Sequence, residues 1–136
     1  MSVSTRREER ERALSLLYEA EAKDIRAAKL LAQLPVSPEP FVVDLVTGVD
    51  AHLQRLDELI GRYAIDWTLE RMPAIDRNIL RLGAYELLER PDVPLGAVIS
   101  EAVELAKRYS TDESGRFVNG VLSSIALESR GEDAAN

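Results

Sequence analysis

Three arginines near the start of the chain have a spacing that suits phosphate binding. In the segment RREERER, Arg6, Arg7 and Arg10 fall within an arc of roughly 100° on a helical wheel, while the three interleaved glutamates point elsewhere. A guanidinium group recognises phosphate oxygens through paired hydrogen bonds. The spacing therefore predicts a cationic surface for nucleic-acid phosphates; the alternative is an ordinary helix with ion pairs between neighbouring turns.

The same arc continues as an apolar face one or two turns later. Ala13, Leu14 and Leu17 occupy it, and these residue types at this spacing indicate a buried stripe. We therefore expect the three arginines to lie on the core side of the helix, beyond the point where the core ends. They would then project from the end of a helical bundle.

An aromatic residue and a further cation lie together in the stretch GRFVNGVLSSI, residues 115–125. Its four aliphatic residues recur at i, i+3, i+4 and i+7, which predicts a helix that continues through Asn119-Gly120, a pair otherwise typical of hairpin turns. Phe117 falls at the edge of this stripe, beside Arg116 and Gly120. The grouping suits the stacking of an unpaired base; the alternative is that Phe117 completes the core and Gly120 admits a neighbouring helix closely.

Glu86, in the segment AYELLER, is a carboxylate at an apolar position. It falls within the arc that Ile79, Leu82 and Gly83 define. An unpaired buried charge is expensive, so such a carboxylate needs a partner. We predict an ion pair between Glu86 and an arginine of another helix.

Catalytic chemistry finds little support in the sequence. His52 is the single histidine and the chain has no cysteine. No Gly-rich phosphate loop, EF-hand loop, H-E-x-x-H or G-x-S-x-G spacing appears. We expect no catalytic residues, no metal site, no cofactor and no enzymatic activity, with His52 solvated on a helix surface.

Composition limits the class of nucleic-acid contact. The chain has 136 residues, of which 46% are hydrophobic, so it can bury one core. Its formal net charge of −7 argues against a sequence-blind nucleic-acid binder that relies on an overall positive field. Contacts must be local, or shared with a basic partner. The charged N-terminus and the lack of a membrane-length apolar run predict a soluble, cytoplasmic protein with no membrane contact.

The elements that must position these residues are all predicted to be helices. Thr5 and Glu8 have capping-box spacing, Asp24 can cap a short second helix, and Ser37-Pro38 can begin a long third helix that runs to Ile60. Four further segments have helical signals: 67–72, 73 to about 90, 95–109, and a last helix from 111 or 112. The sequence therefore predicts an all-α bundle of seven helices in one domain, residues 1–130, and a disordered tail, 131–136.

Three segments in this order resemble one known family. RREERERALSLLYEAE, MPAIDRNILRLGAYELLERPDVPLGAVISEAVELAKRYS and RFVNGVLSSI are similar to the NusB family of bacterial transcription antitermination factors. The resemblance implies an all-α fold of two helical subdomains, roughly 1–64 and 65–130, without catalytic activity. It implies pairing with the small-subunit ribosomal protein NusE and binding of single-stranded boxA RNA in ribosomal RNA leader transcripts. It also implies action on the RNA polymerase elongation complex with other Nus factors.

The resemblance assigns roles to particular positions. The implied RNA-binding residues are Arg6, Arg7, Arg10, Arg116 and Phe117. Tyr18 and Asp76 match positions used against the ribosomal partner, and Glu113 matches an acidic position near the RNA that moderates affinity.

One feature of this sequence departs from the family pattern. The RREERER segment holds four arginines against three glutamates, so its net charge is about +1. This dilution suits a mechanism in which the basic partner supplies part of the phosphate contact. The main alternative is a helical protein-interaction adaptor without significant RNA affinity. The fold also resembles the RNA-binding module of certain ribosomal RNA methyltransferases, and homodimers occur in part of the family.

Overall fold

The computed structural model describes residues 3–65 and 67–131, and these ranges contain seven α-helices, one 3₁₀ turn and no strand. The all-α prediction is confirmed. The helices are α1 (Arg6–Ala22), α2 (Ala27–Ala32), α3 (Pro40–Ala51), α4 (Leu53–Tyr63), α5 (Ala74–Glu89), α6 (Leu95–Tyr109) and α7 (Asp112–Arg130). The predicted disordered tail, apart from Gly131, lies outside the described residues.

The first helix begins at the predicted capping box. The Glu8 backbone N–H donates to Thr5 Oγ1 over 3.1 Å, and the Thr5 N–H donates to Glu8 Oε1 over 2.9 Å. Ala13, Leu14 and Leu17 are buried, which confirms the predicted apolar stripe. The cap therefore fixes where α1 starts and which face meets the core.

The prediction that Asp24 caps the second helix is wrong. Asp24 has a φ of 55° and lies in the turn before α2. Asp50, from α3, takes the capping role: its Oδ1 accepts from the Ala27 N–H over 3.2 Å and from Arg26 Nε over 2.9 Å. The cap comes from another helix, which local sequence signals cannot reveal.

Replacing Asp50 with alanine is expected to lower the free energy of unfolding by about 1 kcal/mol, because the first turn of α2 loses its acceptor. Asp50→Asn keeps an acceptor oxygen and is the matched control, so it should cost less. Urea unfolding of the two variants measures the difference. Equal losses would show that the charge, and not the cap, matters.

The long third helix of the prediction is two helices. It begins at Pro40 and not at Pro38, and α3 ends where His52 interrupts the chain before α4. The Nδ1 of His52 lies 2.8 Å from the Gly48 carbonyl oxygen, and its Nε2 lies 3.7 Å from Glu89. His52 is therefore a junction residue and not a mid-helix surface histidine. The predicted helical turn in residues 67–72 is the 3₁₀ turn, Leu69–Arg71.

The break at His52 redirects the chain between two groups of helices. α1, α2 and α3 pack together, whereas α4 packs chiefly on α5 and α7. A single hydrophobic cluster joins the groups. At one junction, a Cβ on Gly48 would lie 2.1 Å from Cζ of Tyr85, so only glycine lets the Tyr85 ring reach α3 and donate to Asp44. The predicted subdomain boundary near residue 64 stays a prediction; this packing favours a division at His52.

Within the described residues, no helix has the length and apolarity that a membrane span requires.

Candidate nucleic-acid interface

The helix α7 runs without interruption through Asn119-Gly120. Thr111 begins it, with its Oγ1 accepting from the Ser114 N–H over 2.9 Å. The four aliphatic residues of the predicted stripe are all buried: Val118, Val121, Leu122 and Ile125. The predicted helix is confirmed, and Phe117 lies at the edge of its buried face.

An open groove of about 600 Å³ lies along the outer side of α7. One wall is α7 and the other is the segment that follows α4. Trp67 and Phe117 meet across it, with ring centroids 5.3 Å apart and ring planes at 74°. The lining residues are Tyr63, Ile65, Trp67, Thr111, Glu113, Ser114, Arg116, Phe117, Gly120 and Val121. The groove therefore contains an aromatic pair, a carboxylate and a cation.

No sequence pattern indicates that Trp67 lies in this groove. Trp67 is the single tryptophan, and it lies between α4 and the 3₁₀ turn, outside any amphipathic pattern. The only available signal was a lone tryptophan among polar and charged neighbours. Its partner on α7 is far away in the sequence, so the pair could not be predicted.

Gly120 faces open space beside Phe117. No atom lies within 4 Å of the position that a Cβ on Gly120 would take. The alternative that Gly120 admits a neighbouring helix is therefore wrong. That close approach occurs at Gly83 of α5, where a Cβ would lie 2.6 Å from Leu122 Cδ1.

Two of the predicted arginines lie on the surface, each paired with a carboxylate. Arg7 donates from Nε and Nη2 to the two carboxylate oxygens of Glu101 over 3.0 and 3.1 Å. These hydrogen bonds and the charge of Glu101 raise the pKa of Arg7. The same hydrogen bonds and the charge of Arg7 lower the pKa of Glu101. Arg6 pairs with Glu9 over 2.8 Å and lies 3.9 Å from the centre of the Phe41 ring. Both arginine side chains remain more than half exposed.

Arg10 does not project from the bundle, contrary to the prediction. It is 6% exposed, and it donates from Nε and Nη2 to the two oxygens of Glu86 over 2.9 and 2.8 Å. Burial alone would lower the pKa of Arg10, but the hydrogen bonds and charge of Glu86 outweigh it and raise the pKa. The predicted partner of Glu86 is thus found, and it is Arg10. The core extends further along α1 than the apolar pattern indicates, because α5 brings a carboxylate to Arg10.

The helix α6 connects the surface arginines to the α7 groove. Arg7 borders a depression with Glu104 and Arg108 of α6, and Glu104 also borders the next depression, with Lys107 and Arg116. Arg116 in turn lines the groove. Arg7 of the first predicted patch therefore lies on one continuous face with the second patch, and this face is formed by α1, α6 and α7.

The exposed cations on this face differ in their pairing. Arg108 pairs with Glu11 of α1 over 3.2 Å. Within the described part of the chain, Arg116 has no carboxylate within 4.0 Å, and it is exposed. Glu113 is also exposed, one turn before Phe117, where its charge opposes an approaching phosphate. Arg116 is therefore the cation best placed to bind an anion beside the aromatic pair.

The two residues predicted to contact a protein partner lie in different surroundings. Tyr18 is on α1 and is 45% exposed. Asp76, in the first turn of α5, is 0% exposed and accepts from Ser114 Oγ over 2.6 Å. Asp76 therefore offers no surface to a partner in this conformation, and it ties the start of α7 to α5.

Comparisons with known proteins agree with this architecture. The sequence model of the NusB family matches residues 7–127. The transcription antitermination protein NusB of Thermobifida fusca is 49% identical, with 89% of this chain and 88% of that protein covered. The same-named protein of Saccharopolyspora erythraea is 51% identical, with coverages of 91% and 88%.

Solved structures give the same result. The structure of T. maritima NusB superposes with a TM-score of 0.87 at 34% identity, covering 98% of this chain and 99% of that one. A crystal structure of the antitermination factors NusB and NusE in complex with dsRNA superposes with a TM-score of 0.78 at 27% identity, covering 90% and 96%. The helices, the matched residues and the coverage lead to one conclusion: this chain belongs to the NusB family.

Proposed function

We propose that the chain is a transcription antitermination factor that binds boxA RNA together with the ribosomal protein NusE. The observation that carries the proposal is the continuous face of α1, α6 and α7, on which surface arginines adjoin an aromatic groove. Guanidinium groups suit phosphates, and aromatic rings suit unpaired bases. The solved complex of NusB and NusE with dsRNA supports both partners.

The net charge of the chain determines which RNA contacts this protein makes and which ones NusE makes. With a net charge of −7, the chain repels RNA at long range, and a basic partner would offset this repulsion. Arg6, Arg7 and Arg116 then contact the backbone phosphates, and Phe117 holds a base. Glu113 moderates the affinity. NusE supplies the rest of the phosphate contact.

Asp76 and Arg10 support this face from the interior. Arg10 fixes α1 against α5 through Glu86, and Asp76 fixes the start of α7 through Ser114. Both therefore position the RNA-facing helices. On the surface, Tyr18 remains available to NusE.

The proposed activity is binding without catalysis. The relatives are named as transcription antitermination proteins, and the face contains the parts of a binding site. The protein would act in the cytoplasm on the RNA polymerase elongation complex with other Nus factors, and promote read-through of terminators in ribosomal RNA transcription.

A reconstituted transcription assay tests the proposed function. RNA polymerase transcribes a template that carries boxA upstream of a terminator, with the other Nus factors and NusE present. Adding this protein should increase the full-length transcript, and a template with scrambled boxA should show no increase. Equal read-through on both templates, or none on either, would refute the proposal.

Replacing Glu101 with glutamine is expected to raise RNA affinity about two- to fivefold at low salt, because the neutral amide binds Arg7 less strongly than the half-buried carboxylate does. Glu19→Gln is the matched control. Glu19 also pairs with a cation, Lys23, but this pair lies at the opposite end of α1 from Arg7. Filter binding of a boxA RNA measures both variants. An unchanged affinity for Glu101→Gln would show that Arg7 does not contact RNA.

A further inference from the structure

Gly120 is a helical glycine that close packing does not explain. It lies inside α7, and no atom lies within 4 Å of its Cβ position. Glycine destabilises a helix interior relative to alanine. A close helix contact is the usual compensation, and here that contact belongs to Gly83. An open Cβ position alone does not indicate a ligand, since Gly96 of α6 has one too; of these two glycines, only Gly120 lines the groove.

The space that Gly120 leaves open lies next to the aromatic pair. Side chains on a helix lean towards its N-terminus, so each covers surface over the preceding turn. A side chain at position 120 would therefore stand over the surface near Arg116 and Phe117. Glycine leaves that part of the groove uncovered, in front of Trp67.

Trp67 adds an open ring and a hydrogen-bond donor to this space. The Trp67 and Phe117 rings meet edge to face, with an angle of 74° between their planes. This contact covers only part of each ring, and the remaining ring surface faces the groove. Trp67 is half-buried, and its indole has one N–H donor and no acceptor. It can donate to a base that enters the groove.

We propose that Gly120, Trp67 and Phe117 form a slot for one unpaired nucleobase of an RNA strand. This inference rests on the proposed function and deepens it, because it assigns a base-binding role to Trp67 and Gly120. The slot holds the flat ring of the base, and Arg116 at its rim binds the adjoining phosphate. Glu113, which also lines the slot, can accept a hydrogen bond from an exocyclic amino group of the base.

A nucleobase fits this groove better than an apolar side chain of a protein, because the cations continue beyond it. The cations Lys107 and Arg116 border the adjoining depression, together with Asn119 and the carboxylate of Glu104. A strand whose base enters the slot can therefore place its next phosphate against a second cation. An apolar side chain would leave these groups without a partner.

The test compares Gly120→Leu with Gly96→Leu, two substitutions at open helical glycines. Gly96, in α6, also has no atom within 4 Å of its Cβ position, and it does not line the groove. Both variants should keep or raise the Tm, by up to about 6 °C, because leucine is the better helix former. Gly120→Leu should weaken binding of a boxA RNA to the complex with NusE by about 5- to 150-fold, as loss of one base stack does. Gly96→Leu should leave it unchanged.

Fluorescence gives a second measurement that does not depend on affinity. Trp67 is the single tryptophan, so intrinsic emission of the complex reports on the slot when NusE without tryptophan is used. Saturating RNA should quench this emission in the unaltered protein. In the Gly120→Leu variant, saturating RNA should leave the emission unchanged. Quenching without dependence on Gly120 would overturn the slot.

The outcomes separate the slot from the proposed function. If the unaltered protein binds RNA and Gly120→Leu binds it equally well, the slot is wrong and the function stands. If the unaltered protein with NusE binds no RNA, both fail. If Gly120→Leu instead weakens NusE binding in the absence of RNA, the groove holds a protein side chain and the slot is wrong.

Discussion

Replacing Glu86 with alanine is expected to lower the free energy of unfolding by about 3–5 kcal/mol, because the buried guanidinium of Arg10 loses both of its hydrogen bonds. Glu86 is 2% exposed, so the truncation leaves the guanidinium of Arg10 in the interior without a carboxylate partner. Urea unfolding monitored by circular dichroism measures the loss. The effect is large because an unpaired charge remains in the core, and not because the pair itself is strongly stabilising.

Two controls separate these explanations. The double variant Arg10→Met/Glu86→Leu removes both charges and should recover most of the stability. Glu19→Ala breaks the exposed pair with Lys23 and should cost less than about 1 kcal/mol. A double variant as unstable as Glu86→Ala would contradict this account, and would show that the pair fixes the packing of α1 against α5.

Replacing Phe117 with leucine is expected to reduce RNA affinity by about 5- to 150-fold, which corresponds to the roughly 1–3 kcal/mol of one base–aromatic stack. Leucine keeps the apolar contact with the core edge but removes the ring that faces Trp67. Stability should therefore change by less than about 1.5 kcal/mol. Mobility-shift titrations of a boxA RNA, with NusE present, measure the affinity.

Leu127→Ala provides the matched control for Phe117. Leu127 also lies on α7 and is exposed, but it does not line the groove. Its substitution should leave RNA affinity unchanged. Equal affinity of the Phe117→Leu variant and the unaltered protein would remove the aromatic groove from the RNA interface.

The local periodicity of the sequence predicts which residues are buried when that burial follows from their position on one face of their own helix. The aliphatic stripe of α7 identified the helix despite Asn119-Gly120, because four residues recur at helical spacing. Glu86 was recognised as a buried charge for the same reason. The need for an arginine partner followed from the cost of burying that charge.

Contacts between distant segments could not be predicted. The partner of Glu86 lies 76 residues away, so the pattern of α1 could not show that Arg10 is buried. Asp50 caps α2 from α3, and His52, at the break between α3 and α4, lies 3.7 Å from Glu89 of α5. Each of these depends on which helices pack together.

The candidate interface was predicted in part. The sequence identified its cationic and aromatic components separately, since each has a local pattern. It did not show that α6 joins them into one face, or that Trp67 meets Phe117. The site is assembled from four segments, and this assembly is a property of the fold.

Sequence-selective RNA binding distinguishes an antitermination factor from a protein-interaction adaptor. Fluorescence anisotropy of a labelled boxA RNA and of a scrambled RNA is measured against this protein alone and with NusE, at two salt concentrations. We expect preference for boxA, stronger binding with NusE, and weaker binding at the higher salt, as phosphate contacts require. If the protein forms a complex with NusE but shows no preference between the two RNAs, it is a protein-interaction adaptor and the proposed function is wrong.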